Sequence, residues 1–284
     1  MTDSYVTLFL NSAFAQGDLR AALSLFFLFL ARMLPIIAMS PFFGSRVLPN
    51  PTKVFFAITL FVIFLPKLLL SVSTAIDFNP RLVLLVCKEL FVGLTIGFII
   101  SIPFIIVQAS GMIIDHQRGG ASLMVNDPTI QNQSSPLGTI FNMVLIYIFY
   151  SIDGPFYFID AIFQSYEVIP PDQFLNPKFF GDNSPFWRMQ IKLFNEVMVT
   201  ATRLAGPALI AILMTDVFLG IANRLAPQVQ ITFLGMPLKS LLGLTVIWAG
   251  WYLLTGEFTR QAYHWLRVVT NMIQMYRVSS EVVQ

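Results

Sequence analysis

The sequence predicts an all-α, polytopic membrane protein with about six long hydrophobic helices, a C-terminal helical hairpin and an irregular, plug-like central loop. Three observations carry this prediction. Of the 284 residues, 56% are hydrophobic and only 11% are charged, whereas a soluble domain has about 25% charged residues. The apolar residues fall in runs long enough to cross a bilayer as helices. Proline, glycine and single charges interrupt those runs, and no extended polar domain separates them. A formal net charge of +2 gives no pointer to nucleic acid. The single cysteine, Cys87, excludes an internal disulfide and a cysteine metal cluster, and it reads as a small buried hydrophobe. Asp3 and Asp18 precede the first apolar run, without the basic start and small-residue site of a cleavable signal peptide.

The first span is expected at 22–43. Arg32 lies inside it as an intramembrane charge, three residues before Pro35, where a kink is expected. Two readings of Arg32 stay open: an ion pair or carbonyl contact inside an assembly, or a tilted helix that brings it near one surface. A short turn, GSRVLPNPTK, leads to a second span at 54–72. The third apolar region, 82–110, carries Lys88 and Glu89 early, then Gly93 and Gly97 at a spacing that permits close helix approach. Pro103 interrupts it, which suggests a broken or strongly tilted helix.

Residues 110–138 are the most polar central stretch, with apolar islands at Met112, Ile113, Leu123, Met124 and Val125. A plain connection needs few such residues, whereas a loop that re-enters the protein or lines a cavity uses them. Gly119 and Gly120 permit a tight turn, and Asp127-Pro128 starts another turn or caps a helix. The fourth span is expected at 138–163, with Asp153, Gly154 and Pro155 inside it and with Asp153 and Asp160 on one face. An exposed loop at 164–195, ending in a short amphipathic helix, should precede span five at 196–222. Span six follows at 236–256. Asp216 sits in the first arm of this final hairpin and Lys239 in the second, with Asn223 to Gln230 between the arms. Residues 257–284 read as an amphipathic, basic tail suited to an interface or a partner.

Catalytic chemistry finds little support. His116 and His264 are the only histidines, and neither joins a cluster of ligand type. No glycine-rich phosphate loop is present. Ser110, His116 and Asp127 lack the surroundings of a nucleophile elbow. Buried charges and proline-broken helices leave two classes open, a channel or assembly subunit and a secondary transporter. Basic residues fall on both sides of the predicted topology, and counting them places the side with Arg20, Lys67, Arg81, Lys178, Arg188 and Lys192 inside.

Two stretches narrow the choice. SGMIIDHQRGGASLMVNDPTIQNQSSPLG, residues 110–138, and DVFLGIANRLAPQVQITFLGMPLKSLLGL, residues 216–244, resemble the SctT/FliR family of type III secretion and flagellar export-apparatus proteins. The second stretch looks closer to the injectisome branch. The resemblance implies a subunit without cofactor, metal or catalytic activity, in the bacterial inner membrane within the secretion-system base. It implies an SctR-like N-terminal region, 1–195, an SctS-like hairpin, 196–256, and the tail, 257–284. The implied partners are SctR and SctS subunits, the large export-gate protein SctV, SctU and the inner rod, with exported unfolded proteins and the lipid bilayer.

Carried onto this chain, the resemblance places Gly111, Asp115, Gln117, Gly119, Asp127 and Pro128 in a plug or gasket, to which the residues themselves add Met112, Ile113, Gly120, Leu123, Met124 and Val125. It places Gly220, Arg224, Pro227, Gln228, Pro237 and Lys239, beside Asp216, in the hairpin that takes part in assembly. It also implies that the hairpin tip faces the cytoplasm, opposite to the charge count.

Overall fold

The structure is a computed structural model that describes residues 19–43, 48–71, 79–119, 135–175, 185–225 and 231–281. All regular structure among these residues is helical, in line with the predicted class. The helices are α1 (Leu19–Met39), α2 (Asn50–Ser71), α3 (Pro80–Gln117), α4 (Pro136–Ser151), α5 (Gly154–Val168), α6 (Pro185–Leu225), α7 (Ile231–Ala249) and α8 (Trp251–Glu281), with a short 3-10 turn at Pro41–Phe43. Among the described residues, α1, α2, α3 and α6 are each long and apolar enough to cross a membrane. Two bent pairs, α4 with α5 and α7 with α8, bring the total to six if each is one span.

The chain packs as two compact units. The first takes the described residues of Met1–Ser101, Asp153–Gln190 and Trp265–Gln284; the second takes those of Ile102–Ile152 and Ile191–His264. In the first unit an aromatic seam joins α1, α2 and α5. Phe29 packs edge-on against Phe61, Phe64 stacks flat on Phe163, and Phe42 meets Phe158 edge-on. Such pairs add to the burial of their apolar area, and they account for part of the high phenylalanine content. In the second unit Phe104 of α3 meets Phe149 of α4, and Phe141 of α4 meets Phe258 of α8. The α6–α7 hairpin is closed by small residues. A side-chain carbon on Gly243 would lie 3.1 Å from Ile212, and one on Gly235 would lie 3.3 Å from Leu219.

Several sequence expectations are corrected. The fourth span is not one helix: α4 and α5 meet at 75°. Asp153 occupies the left-handed region (φ 58°, ψ 25°) as the residue before α5, and Pro155 has no N–H with which to continue α4. The sixth span breaks at Gly250, where α7 and α8 meet at 66°. The expected tail is therefore the continuation of a helix that starts at Trp251. Pro103 lies inside an unbroken 38-residue helix, as apolar helices tolerate when protein surrounds the freed carbonyl. That helix runs to Gln117, so the first part of the predicted irregular loop is helical. Likewise, α6 starts at Pro185, and the expected short helix before span five is its first turns. Cys87 is exposed rather than buried. It shares the outward face of α3 with Val83, Leu90 and Leu94, also exposed, at the spacing of one helix stripe.

The Gly93 and Gly97 spacing does mark a close helix crossing. A side-chain carbon on Gly93 would stand 2.3 Å from the backbone oxygen of Arg32, and one on Gly97 would stand 3.1 Å from that of Pro35. The α1 backbone thus rests directly on α3. Gly93→Ala should destabilise the protein by about 1–3 kcal/mol, because the obstacle is backbone and cannot turn aside. Gly206→Ala has open space around it and should be neutral or stabilising by up to about 1 kcal/mol. Thermal unfolding of both variants in detergent checks the contrast, and equal effects would contradict it.

Candidate functional site: two buried charge networks

The first network lies in the first unit. Arg32 sits mid-way along α1 and is fully buried, as is Glu89 of α3. The two form a two-pronged ion pair: Nε donates to one carboxylate oxygen, and Nη2 donates to the other at 2.9 Å. The rest of the guanidinium satisfies the end of α5. Nη1 donates to the Ser165 carbonyl at 3.0 Å and to its hydroxyl at 3.1 Å, and Nη2 donates to the Ile169 carbonyl at 2.7 Å. The last carbonyls of a helix lack intrahelical partners and carry the negative end of its dipole, so a cation suits this position. The Tyr166 ring lies under the guanidinium, 4.0 Å from its carbon to the ring centre. The ion pair and the carbonyl contacts of the first reading both form with residues of this chain.

Lys88, next to Glu89, extends this network. Its ammonium contacts the Glu89 carboxylate and donates to the carbonyls of Pro170, Pro171 and Gln173 at 2.8, 3.3 and 3.0 Å. It thereby ties the turn after α5 to α3. Arg81, two turns earlier, donates to the Asp172 carbonyl at 3.2 Å. A loop with two consecutive prolines has few N–H groups of its own, and these cations satisfy its carbonyls.

The second network lies in the second unit, and its centre is Asp115, fully buried on the last turn of α3. One carboxylate oxygen accepts from the Ser135 hydroxyl and, at 3.0 Å, from the Leu137 backbone N–H. Ser135 is the N-cap of α4, and its hydroxyl accepts from the Gly138 N–H at 2.9 Å. The start of α4, which has unpaired N–H groups and a positive dipole end, is thus met by an acid. The other Asp115 oxygen accepts from Arg118 Nε at 2.7 Å, and Arg118 Nη1 donates to the Ser240 hydroxyl of α7 at 3.1 Å. The neighbour of Ser240, Lys239, forms an ion pair with Asp216 of α6. Gly111 makes room for this junction: a side-chain carbon there would lie 2.5 Å from the Gly138 nitrogen.

Of the residues singled out from the sequence, Gly111, Met112, Ile113, Asp115 and Gln117 are on the last turns of α3, and Gly119 follows in a turn with φ +87°. Gly120, Leu123, Met124, Val125, Asp127 and Pro128 lie outside the described residues, as do Pro227 and Gln228 of the hairpin tip. Asp216, Gly220 and Arg224 are on α6, where Arg224 is exposed on the last turn. Pro237 and Lys239 are on α7. Asp216 and Lys239 are brought together, and Asp115 is joined to α4 and, through Arg118, to α7. The pairing of Arg32 with Glu89 was not foreseen, nor were the roles of Ser135 and Ser240. The signal for the first was present: one buried cation and one buried acid in separate apolar spans.

The Tyr166 hydroxyl is buried without a hydrogen-bond partner among the described residues. Tyr166→Phe keeps the ring under Arg32, so it should leave stability within about 0.5 kcal/mol of wild type or raise it slightly. Tyr166→Leu removes the ring and should cost roughly 1–3 kcal/mol. Chemical unfolding in detergent distinguishes the two, and a loss above about 1 kcal/mol for the Phe variant would show that the hydroxyl is bonded.

Comparison with known proteins agrees with this architecture. Residues 23–264 match the family described as bacterial export proteins, family 1. The Yop proteins translocation protein T of Yersinia pestis is 35% identical over 159 residues, which cover 56% of this chain and 59% of that protein. The flagellar biosynthetic protein FliR of Bacillus subtilis is 32% identical over 216 residues, 75% of this chain and 81% of the relative. The surface presentation of antigens protein SpaR of Shigella flexneri is 30% identical over 221 residues, 76% and 80% of the two chains. The chain thus spans about three fifths of the Yersinia relative and four fifths of the other two. Several apolar helices in a bacterial export protein fit a multi-pass protein of the inner membrane. The chain belongs to bacterial export protein family 1, the SctT/FliR family.

Proposed function

We propose that this chain is a core subunit of a type III secretion export gate, present once per assembly. It would join SctR and SctS subunits to form the inner-membrane channel through which unfolded proteins leave the cytoplasm. The observation that carries this reading is the family match over residues 23–264. The outward faces of the hairpin support it. Met214, Val217, Phe218 and Ile221 on α6 and Leu241, Leu244 and Trp248 on α7 are exposed. Apolar faces of that extent suit lipid and sister helices. In this reading residues 1–195 take the place of one more SctR-like subunit and 196–256 that of one more SctS-like subunit, with the tail, 257–284, at the interface.

The segment from Gly111 to Pro128 closes the path at rest, with Met112, Ile113, Leu123, Met124 and Val125 as sealing residues. An apolar constriction can exclude ions by dewetting, and methionine adapts its shape to its neighbours. The hairpin tip with Arg224, Pro227 and Gln228 faces the cytoplasm and the SctV ring, while SctU and the inner rod complete the base. No residue of the chain performs a covalent step, and no cofactor takes part.

The two bent helix pairs, at 75° and 66°, favour a second reading, since secondary transporters build their sites from broken helices. Expression with and without the sister subunits decides between the two. The gate reading expects an unstable or aggregated chain when it is expressed alone, and a stable complex containing all three proteins when SctR and SctS are supplied. A stable monomer that transports a small solute after reconstitution alone would establish the transporter instead.

A further inference from the structure

Polar contacts of the second unit form a relay, joined at one step by the backbone between Lys239 and Ser240. Asp216 of α6 is paired with Lys239 of α7. The adjacent residue, Ser240, accepts a hydrogen bond from Arg118 at 3.1 Å. Arg118 is paired with Asp115 at 2.7 Å, and Asp115 holds the Leu137 N–H in the first turn of α4 at 3.0 Å. The relay thus runs from the hairpin to both ends of the chain segment that leaves α3 and returns at α4. Its burial increases along the way: the Asp216 side chain is 40% exposed, Lys239 24%, Arg118 11% and Asp115 0%.

We propose that Arg118 and Ser240 are positioning residues that couple the α6–α7 hairpin to the junction of α3 and α4, so that displacement of the hairpin loosens the Asp115 clamp on α4. The proposal deepens the export-gate reading and rests on it for its consequence, though not for the coupling itself. The physical basis is competition for one guanidinium. Arg118 spans two partners on different helices, and it cannot follow Ser240 outward without weakening its bonds to Asp115. Without Arg118, Asp115 keeps its bonds to Ser135 and Leu137 but is a buried carboxylate that has lost the Arg118 cation. Lys239 and Ser240 are consecutive, so a movement of α7 that breaks the ion pair with Asp216 acts on the Arg118 contact directly. Gly111 against Gly138 gives the junction no soft layer to absorb the shift, as a close-packed contact transmits displacement rather than damping it.

The coupling is tested in the full chain assembled with its sister subunits. Amide hydrogen exchange of the peptide containing Leu137 and Gly138 is compared between wild type, Lys239→Gln, Ser240→Ala, Arg118→Gln and the Lys239→Gln/Arg118→Gln double variant, with resting ion conductance measured on the same preparations. Coupling predicts that Lys239→Gln, which removes an ion pair to α6, speeds exchange at the start of α4 by at least about twofold. It also predicts that the double variant exchanges no faster than Arg118→Gln alone. Unchanged exchange in Lys239→Gln and Ser240→Ala, or multiplicative effects in the double variant, would overturn the proposal. Deletion of Gly119 to Val125 separates the two claims. If exchange responds as predicted while neither the deletion nor the point variants raise conductance, the coupling stands and the gate reading fails. If the deletion leaks and exchange in Lys239→Gln is unchanged, the gate stands and the coupling fails.

Discussion

A guanidinium at the centre of an apolar helix must find its counter-charge within the protein, because neither lipid nor bulk water supplies one. Arg32 meets this constraint by joining α1, α3 and α5 at one point. Glu89 neutralises it, and the terminal carbonyls of α5 take the remaining N–H groups. The backbone follows from the same demand. Gly93 lies one helical turn beyond Glu89, and its missing side chain lets the Arg32 carbonyl rest against α3. The ion pair and the close crossing therefore specify the same register between two helices. Apolar packing alone fixes register weakly, since one turn of leucine and phenylalanine resembles the next. A single charged pair has one solution.

The second unit solves a related problem with the opposite sign. Helix ends buried in protein cannot take their hydrogen bonds from water. Arg32 serves the C-terminus of α5, and Asp115 serves the N-terminus of α4. Each charge is placed where the helix dipole favours it. In a chain with 11% charged residues, these buried ones are spent on helix ends and on joining helices. The remaining helix surface stays apolar, for lipid and for other subunits.

Much of this was legible in the sequence, and the exceptions have physical causes. Helix positions followed from run length and from the density of apolar residues, and Gly93 and Gly97 identified a close crossing. The breaks at Asp153 and Gly250 were misread as continuous spans. A proline or glycine marks a weak point, but neighbouring packing decides whether the helix bends there: Pro103 sits in an unbroken helix, while Gly250 ends one. The extension of α3 to Gln117 escaped notice because its last turns are polar. Of those polar residues, Asp115 is held by the start of α4, and the following Arg118 reaches α7. Cys87 was misplaced because composition says nothing about which stripe of an apolar helix faces inward. Asp216 and Lys239 stand on the two arms of a short hairpin, which puts them within reach of each other. Arg32 and Glu89, 57 residues apart in the chain, had no such local cue.

The central claim is that the Arg32 charge is neutralised by Glu89 of the same chain. A double-mutant cycle with Arg32→Met, Glu89→Leu and the combined variant, read by chemical unfolding in detergent of the chain assembled with its sister subunits, measures this directly. Each single change leaves one buried charge without its counter-ion and should cost about 3–5 kcal/mol. The combined variant should then be at least about 2 kcal/mol more stable than the sum of the single losses predicts. Losses that add to within about 0.5 kcal/mol would contradict the account, since they would show that Arg32 and Glu89 are satisfied independently of each other.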